Sequence, residues 1–172
     1  LLCKFAEFYV KCNPKFPYTA DMIEKFKCEE DVDTSKIISI GENVTLEDCE
    51  NYHKKYPNVP VDEAEHIYLA DELFKKILPY KSIMIHSSAV KYKGKCYLFS
   101  APSGTGKSTH TRIWEKLYGD DVKIINDDKP IIRLIGEELI AFGSPFAGGT
   151  HKFCDDSAPL TAIVFITRAE KN

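Results

Sequence analysis

The stretch that decides the fold is Ala101-Pro102-Ser103-Gly104-Thr105-Gly106-Lys107-Ser108. It matches the phosphate-binding pattern G-x-x-x-x-G-K-[ST] except at the first position, where alanine stands for glycine. Such a loop works because its glycines let backbone N–H groups converge on phosphate oxygens, while the following helix points its positive end at the same place. Ser103, Gly104, Thr105, Gly106, Lys107, Ser108 and Thr109 are therefore the candidate nucleotide-binding residues. Lys107 is placed to reach the β- and γ-phosphates and Ser108 to ligate Mg2+. At average glycine usage of about 7%, a chance match in a chain of this size is about a 1% event, so the motif favours a nucleotide site over a bare turn.

The flanks suit the motif. Upstream, Ile83 to Tyr92 and Lys95 to Ala101 read as two strands joined by the turn Lys93-Gly94, an antiparallel hairpin that delivers the chain into the loop. Downstream, Lys107 to Tyr118 reads as a helix with Ile113, Trp114 and Leu117 spaced for a buried face and Gly119 as its stop. Val122 to Ile125 is a short apolar strand that runs into Asn126-Asp127-Asp128-Lys129-Pro130. Strands at Ile131 to Ile135 and Leu139 to Phe142 follow, then a Gly/Pro-rich loop from Gly143 to Gly149 and an apolar strand from Leu160 to Ile166. Strands and helices mixed in this way predict an α/β class.

Before the hairpin, Lys4 to Val10 and Lys36 to Ile40 have strand composition, and Ala20 to Cys28 and Leu46 to Tyr56 look helical. Pro57 and Pro60 bracket a short extended linker, after which Asp62 and Glu65 form a D-x-x-E start signal. A helix over Asp62 to Leu78 then carries an apolar stripe of Ala64, Ile67, Ala70, Leu73, Phe74, Ile77 and Leu78, expected to pack on the sheet. The expected division is an N-terminal α+β extension over 1–60 and a nucleotide-binding domain over 61–172.

Asp127 and Asp128 follow a buried strand, where nucleotide-binding α/β sheets place a metal-orienting carboxylate. Two adjacent carboxylates can divide the work, one holding magnesium and the other taking the proton of an attacking hydroxyl. On their own they would read as a solvated turn, like Asp120-Asp121; the upstream loop is what raises them.

The chain has 172 residues, with 44% hydrophobic and 28% charged, an ordinary globular composition. Its net charge of −3 argues against a general nucleic-acid binder. The longest apolar runs have strand length, far short of the roughly 20 residues of a membrane-spanning helix. No export signal is visible at the start, so the expected setting is soluble and cytoplasmic, without nucleic acid or membrane as partner. None of the six cysteines forms a C-x-x-C pair, and reduced thiols are expected. Residues 20 to 65 carry 13 acidic and 5 basic side chains, the pattern of a solvated face.

Three pieces in order resemble the C-terminal domain of HPr kinase/phosphorylase and its relative, phosphoenolpyruvate carboxykinase. They are Ile85-His86-Ser87-Ser88-Ala89-Val90, the loop Ser103 to Ser108, and the pair Asp127-Asp128. The resemblance spans roughly Ile83 to Asp128, extending more weakly to Ile166. It implies a mixed sheet with a hairpin leading into the phosphate loop and helix, ATP or GTP with Mg2+ as cofactors, and catalytic roles for Asp127, Asp128, His86 and Lys107. Asp127 matches the base acting on the acceptor hydroxyl, Asp128 its metal-associated neighbour, with Ser108 as the other metal ligand, and His86 lies beside the γ-phosphate or a second metal. It also implies a domain that continues past Asn172. No match to the family's later segments is found, so the acceptor is not identified: a protein, a peptide or a small molecule bearing a hydroxyl. Homo-oligomers are compatible with this reading.

The function expected is a phosphotransferase moving the γ-phosphate to that hydroxyl. The alternative is a nucleotide-binding regulator that hydrolyses slowly or not at all. An ordinary GTPase is disfavoured because N-K-x-D is absent, and carboxykinase activity because that enzyme is much longer. Arg133, His110 and His151 have no motif that raises them above ordinary surface or packing roles.

Overall fold

Two β-hairpins, each closed by a two-residue left-handed turn, set the frame of the two halves of the chain. The computed structural model describes residues 1–168. Its contacts divide into two units, Leu1–Pro79 and Tyr80 onward.

In the first unit, β1 (Leu2–Phe5) and β2 (Phe8–Cys12) pair antiparallel around Ala6 and Glu7, with φ +49° and +57°. Two consecutive left-handed residues match the twist of the flanking strands. β3 (Ile37–Ile40) adds parallel to β2, completing a three-stranded sheet. Three helices accompany it: α1 (Pro17–Glu24), α2 (Leu46–Lys55) and α3 (Val61–Ile77). α2 starts with a capping box in which Thr45 and Asp48 satisfy each other's backbone N–H.

α3 departs from expectation in two ways. The helix begins at Val61 behind Pro60 with no side-chain cap, and Asp62 accepts only from the Glu63 N–H, at 2.9 Å. Glu65 is turned inward instead, where its carboxylate accepts from the Lys15 and Phe16 N–H groups at 2.7 and 3.1 Å. These donors lie at the entry to α1, where no intrahelical acceptor is available, so the buried carboxylate does more there than at its own helix start. The apolar stripe of α3, buried at Ala64, Leu69, Ala70, Leu73 and Ile77, packs against α1, α2 and β3 within the first unit. The boundary therefore falls after Pro79, where the expected one fell at residue 60. The small sheet needed an apolar cover, and α3 supplies it.

The second unit is a seven-stranded mixed sheet in the order β4-β8-β9-β10-β6-β5-β7. Its strands are β4 (Ser82–Met84), β5 (Ser88–Tyr92), β6 (Lys95–Ser100), β7 (Val122–Asn126), β8 (Ile131–Ile135), β9 (Glu138–Phe142) and β10 (Ser157–Phe165). Only β10 and β6 run parallel; the other neighbours are antiparallel. The β5–β6 hairpin turns at Lys93 and Gly94, both at positive φ, as the sequence predicts. Ala89, Leu98, Cys96, Ile125, Ile132, Ala141 and Ala158 form the centre of its core. The six cysteines are free thiols.

The strand expected over Ile83 to Tyr92 is broken at Ile85–Ser87, yet the chain stays extended. β4 pairs with β8 and β5 with β7, and between them the Ile85 N–H donates to the Pro130 carbonyl and the Ser87 N–H to that of Asp128, at 3.3 and 2.9 Å. One register thus runs from Ser82 opposite Arg133 to Ala89 opposite Asn126. The two breaks face each other, and the sheet returns to the strand pair from which it started.

α4 (Lys107–Tyr118) packs on β5, β6 and β7. Its inner face is not the one expected. Trp114 does pack against Tyr92, Tyr97 and Phe99, but Ile113 and Leu117 are 47% and 69% exposed, and Lys107 and Thr111 are the buried positions. The loop delivers Lys107 pointing inward; the helical period then turns Thr111 and Trp114 to the sheet and Ile113 and Leu117 away. No helix among the described residues is long and apolar enough to cross a membrane.

Candidate functional site

The loop between β6 and α4 bends at Gly104 and Gly106, with φ of +75° and +113°. A Cβ at either would meet nothing within 4 Å, so glycine is required by backbone conformation and not by crowding. Gly106 is the N-cap of α4, which leaves the first helical N–H groups without an intrahelical acceptor. Lys107 is buried, and its ammonium donates to the Ala101 carbonyl at 3.0 Å, closing the loop on itself. Arg168 donates from Nη2 to the Gly104 carbonyl.

Facing the loop is the turn after β7, built around Asn126, which is fully buried. Its Oδ1 accepts from the Asp128 and Lys129 N–H groups at 2.8 and 2.7 Å, and its Nδ2 donates to the Ser144 carbonyl and hydroxyl at 3.0 and 3.1 Å. The Asn126 carboxamide thereby holds the two aspartates that follow. Gly148 backs the second of them; a Cβ there would lie 3.3 Å from the Asp128 Cβ.

The two carboxylates differ in their partners. Asp127, 5% exposed, accepts a hydroxyl hydrogen bond at each oxygen, Oδ1 from Ser88 and Oδ2 from Thr150 at 2.6 Å. Asp128 faces nitrogen groups: the Lys129 ammonium pairs with its Oδ2, and His86 Nε2 lies 3.2 Å from its Oδ1. Burial pushes the Asp128 carboxyl up, but the His86 hydrogen bond and the Lys129 charge outweigh it and hold it below the ordinary carboxylate value.

His86, expected within a strand, sits in the break between β4 and β5 with its side chain half-exposed. Its Nε2 is 3.2 Å from the Lys107 ammonium and the same distance from Asp128. Protonated, that nitrogen donates to Asp128; unprotonated, it accepts from Lys107, and it cannot do both. The ring couples the loop lysine to the aspartate pair.

These groups line one cavity of about 460 Å³, within the range of small-molecule sites. Ser103, Gly104, Gly106, Lys107, Ser108 and Thr109 form one wall, His86, Asp127 and Asp128 another, and Gly148 to Thr150 a third. Of the loop residues expected at the site, Thr105 alone does not line it; its N–H is taken by the Pro102 carbonyl at 3.2 Å. His110 packs on Phe99 and Trp114 and does not line the cavity, and Arg133 lies in β8 opposite Ser82 of β4 and Ile140 of β9. Asn126, Ser144, Lys129 and Thr150 were not singled out by sequence reasoning. Only Asn126 carried a signal, as an asparagine opening a turn before Pro130.

No group of three or more His, Cys, Asp or Glu able to hold a metal occurs among the described residues. Magnesium does not need such a group: it takes one or two carboxylates and completes its shell with water and phosphate oxygens, which the cavity's Ser108, Asp127 and Asp128 fit. Ser108 and Asp128 lie on the same cavity and are the residues that would offer oxygen donors to magnesium.

No protein-family model and no curated protein matches the sequence. Among solved structures, the chain is similar to the HPr(Ser) kinase/phosphatase from Coxiella burnetii, with 12% identity and a TM-score of 0.41. The match covers 52% of this chain and spans 62% of the other.

Proposed function

We propose that the cavity binds a nucleoside triphosphate with magnesium and that the chain transfers the γ-phosphate to a hydroxyl. One observation carries this reading: the Gly104–Ser108 loop at the start of α4 and the Asp127–Asp128 pair line the same cavity. Backbone N–H groups of the loop and the Lys107 ammonium receive the phosphate chain, and Lys107 then exchanges the Ala101 carbonyl for phosphate oxygens. Release of His86 from Lys107 frees the Nε2 lone pair to take a proton from solvent, and the protonated nitrogen then donates to Asp128.

Ser108 and Asp128 would hold magnesium, which when bound would supply charge to offset that developing on the phosphates. The lowered pKa of Asp128 keeps it ionised for that task. Asp127 is the base. It has no cationic partner among its hydrogen bonds, and it accepts from hydroxyls at both oxygens, the type of contact that an acceptor hydroxyl makes. In the step, the acceptor oxygen bonds to the γ-phosphorus, its proton passes to Asp127, and the nucleoside diphosphate leaves.

The test is paired. Calorimetry with Mg-ATP and Mg-GTP should show binding that Lys107→Ala abolishes in a folded protein; unchanged affinity would sink the phosphate-site reading. Asp127→Asn should keep nucleotide affinity and lower label transfer by about 10²- to 10⁴-fold. Binding with no transfer to any hydroxyl compound would instead favour a nucleotide-dependent regulator.

A further inference from the structure

Asp127 already holds two hydroxyls, and they are not equivalent. Ser88 is fully buried in β5 and does not line the cavity. Thr150 does line it, on a loop that begins with Gly148 and Gly149, and its Oγ1 donates to Asp127 Oδ2 at 2.6 Å. The side chain that donates to the proposed base from within the cavity is thus part of this chain.

We propose that Thr150 is a self-phosphorylation site, with Asp127 as the base and a nucleoside triphosphate as the phosphoryl donor. The inference rests on the nucleotide-dependent reading above and adds an acceptor to it. In the step, the Oγ1–H bond breaks and the proton passes to Asp127 Oδ2. Oγ1 forms a bond to the γ-phosphorus, and the bond from that phosphorus to the β–γ bridging oxygen breaks, its electron pair leaving with the nucleoside diphosphate. No further reactant is needed.

Two features support Thr150 over other hydroxyls. Its hydrogen bond orients the O–H toward the acceptor of the proton, as general-base catalysis requires. Its loop is fixed at the base: the Asp127 N–H donates to the Lys152 carbonyl at 3.1 Å, and the His151 N–H to that of Gly148 at 2.9 Å, so Thr150 is held beside the carboxylate from both sides. The product has a consequence. A phosphothreonine brings about −1.5 to −2 charges next to Asp127 and Asp128, and like charges in the cavity oppose binding of a second triphosphate. Self-phosphorylation here limits itself to one turnover and silences the site.

The experiment incubates the full chain with magnesium and γ-labelled ATP, follows label per chain and locates it by fragmentation mass spectrometry, with nucleotide binding measured in parallel. One label per chain is expected, on Thr150, at a first-order rate independent of protein concentration. Thr150→Ala should lose the label and Thr150→Ser retain it, while Asp127→Asn should slow labelling about 10²- to 10⁴-fold. Labelled protein should bind fresh Mg-ATP at least tenfold more weakly. Binding together with transfer to water or an added acceptor, but an unlabelled Thr150, overturns this inference and leaves the proposed function standing. Label on Ser88, Ser108 or Thr109, or a rate that rises with protein concentration, also overturns it. Absence of nucleotide binding, or binding with no transfer of any kind, overturns both.

Discussion

Asn126→Ala is the substitution whose cost can be worked most directly from the structure. The side chain is fully buried and makes four hydrogen bonds, two to the Asp128 and Lys129 N–H groups and two to Ser144. Truncation leaves both N–H groups and the Ser144 carbonyl without this partner. An orphaned buried donor costs about 1–3 kcal/mol, but the vacated space is polar, so water recovers part of the loss. A net destabilisation of about 3 kcal/mol follows, with the Ser144 hydroxyl still bonded to the Lys129 carbonyl and the Phe146 N–H. For a chain of this length each kcal/mol shifts Tm by about 2–4 °C, so the loss should be about 6–12 °C. Circular-dichroism melting, with urea unfolding as an independent measure, reads it. Asn126→Asp should also destabilise, because it keeps the acceptor, loses both donated bonds and places a third carboxylate beside two others. A cost below about 1 kcal/mol for Asn126→Ala would refute the argument that this carboxamide holds the turn carrying Asp127 and Asp128.

Other perturbations test separate parts of the structure. The Asp128 carboxyl is held below its ordinary value of 3.8, so its contribution to stability is present above that pH and is lost as pH falls through the folded-state value. Unfolding free energy measured from pH 5 downward should fall less steeply in Asp128→Asn than in the native chain; equal slopes would show that His86 and Lys129 do not stabilise the carboxylate. Gly143→Ala would put a Cβ 1.8 Å from the Cys154 carbonyl oxygen and 2.8 Å from that of Ile125, both backbone, so the strand ends must part. Loss of soluble folded protein is expected, and a native melting curve would show that the close approach is relieved cheaply. Gly106→Ala, at φ +113°, should be destabilised by about 1–3 kcal/mol although no atom lies within 4 Å of the new Cβ, separating backbone strain from crowding.

What the sequence reveals most readily is what depends on neighbours along the chain. Lys93-Gly94 announces its hairpin because a two-residue turn needs left-handed φ, and Gly104 and Gly106 mark the bend before α4 for the same reason. The Asp127–Asp128 pair was readable only in company with that loop. Local logic misled where a distant partner decided the outcome. Glu65 looked like half of a capping box, but the N–H groups of Lys15 and Phe16, some fifty residues earlier, claim it. Ile113 and Leu117 have the spacing of a buried stripe, yet the direction of Lys107 fixes the phase of α4 and turns them to solvent. Thr150 has no motif at all; its closeness to Asp127 is created by the path of the chain after β9, which no local pattern encodes.

The facing breaks in the β4–β5 and β7–β8 segments have a dynamic consequence. The amides of Ile85 and Ser87 are bonded across to Pro130 and Asp128, inside a register that continues on both sides. Their hydrogens can exchange with solvent only when that ladder opens, an event with a free energy near that of the whole second unit. The Gly148–Thr150 wall is held by single hydrogen bonds, from the Asp127 N–H to Lys152, the His151 N–H to Gly148 and the Thr150 hydroxyl to Asp127, so smaller openings suffice to expose its amides. One side of the cavity is therefore bound to the slowest motion of its unit, and the other is pinned beside Asp127 by single hydrogen bonds that open more readily.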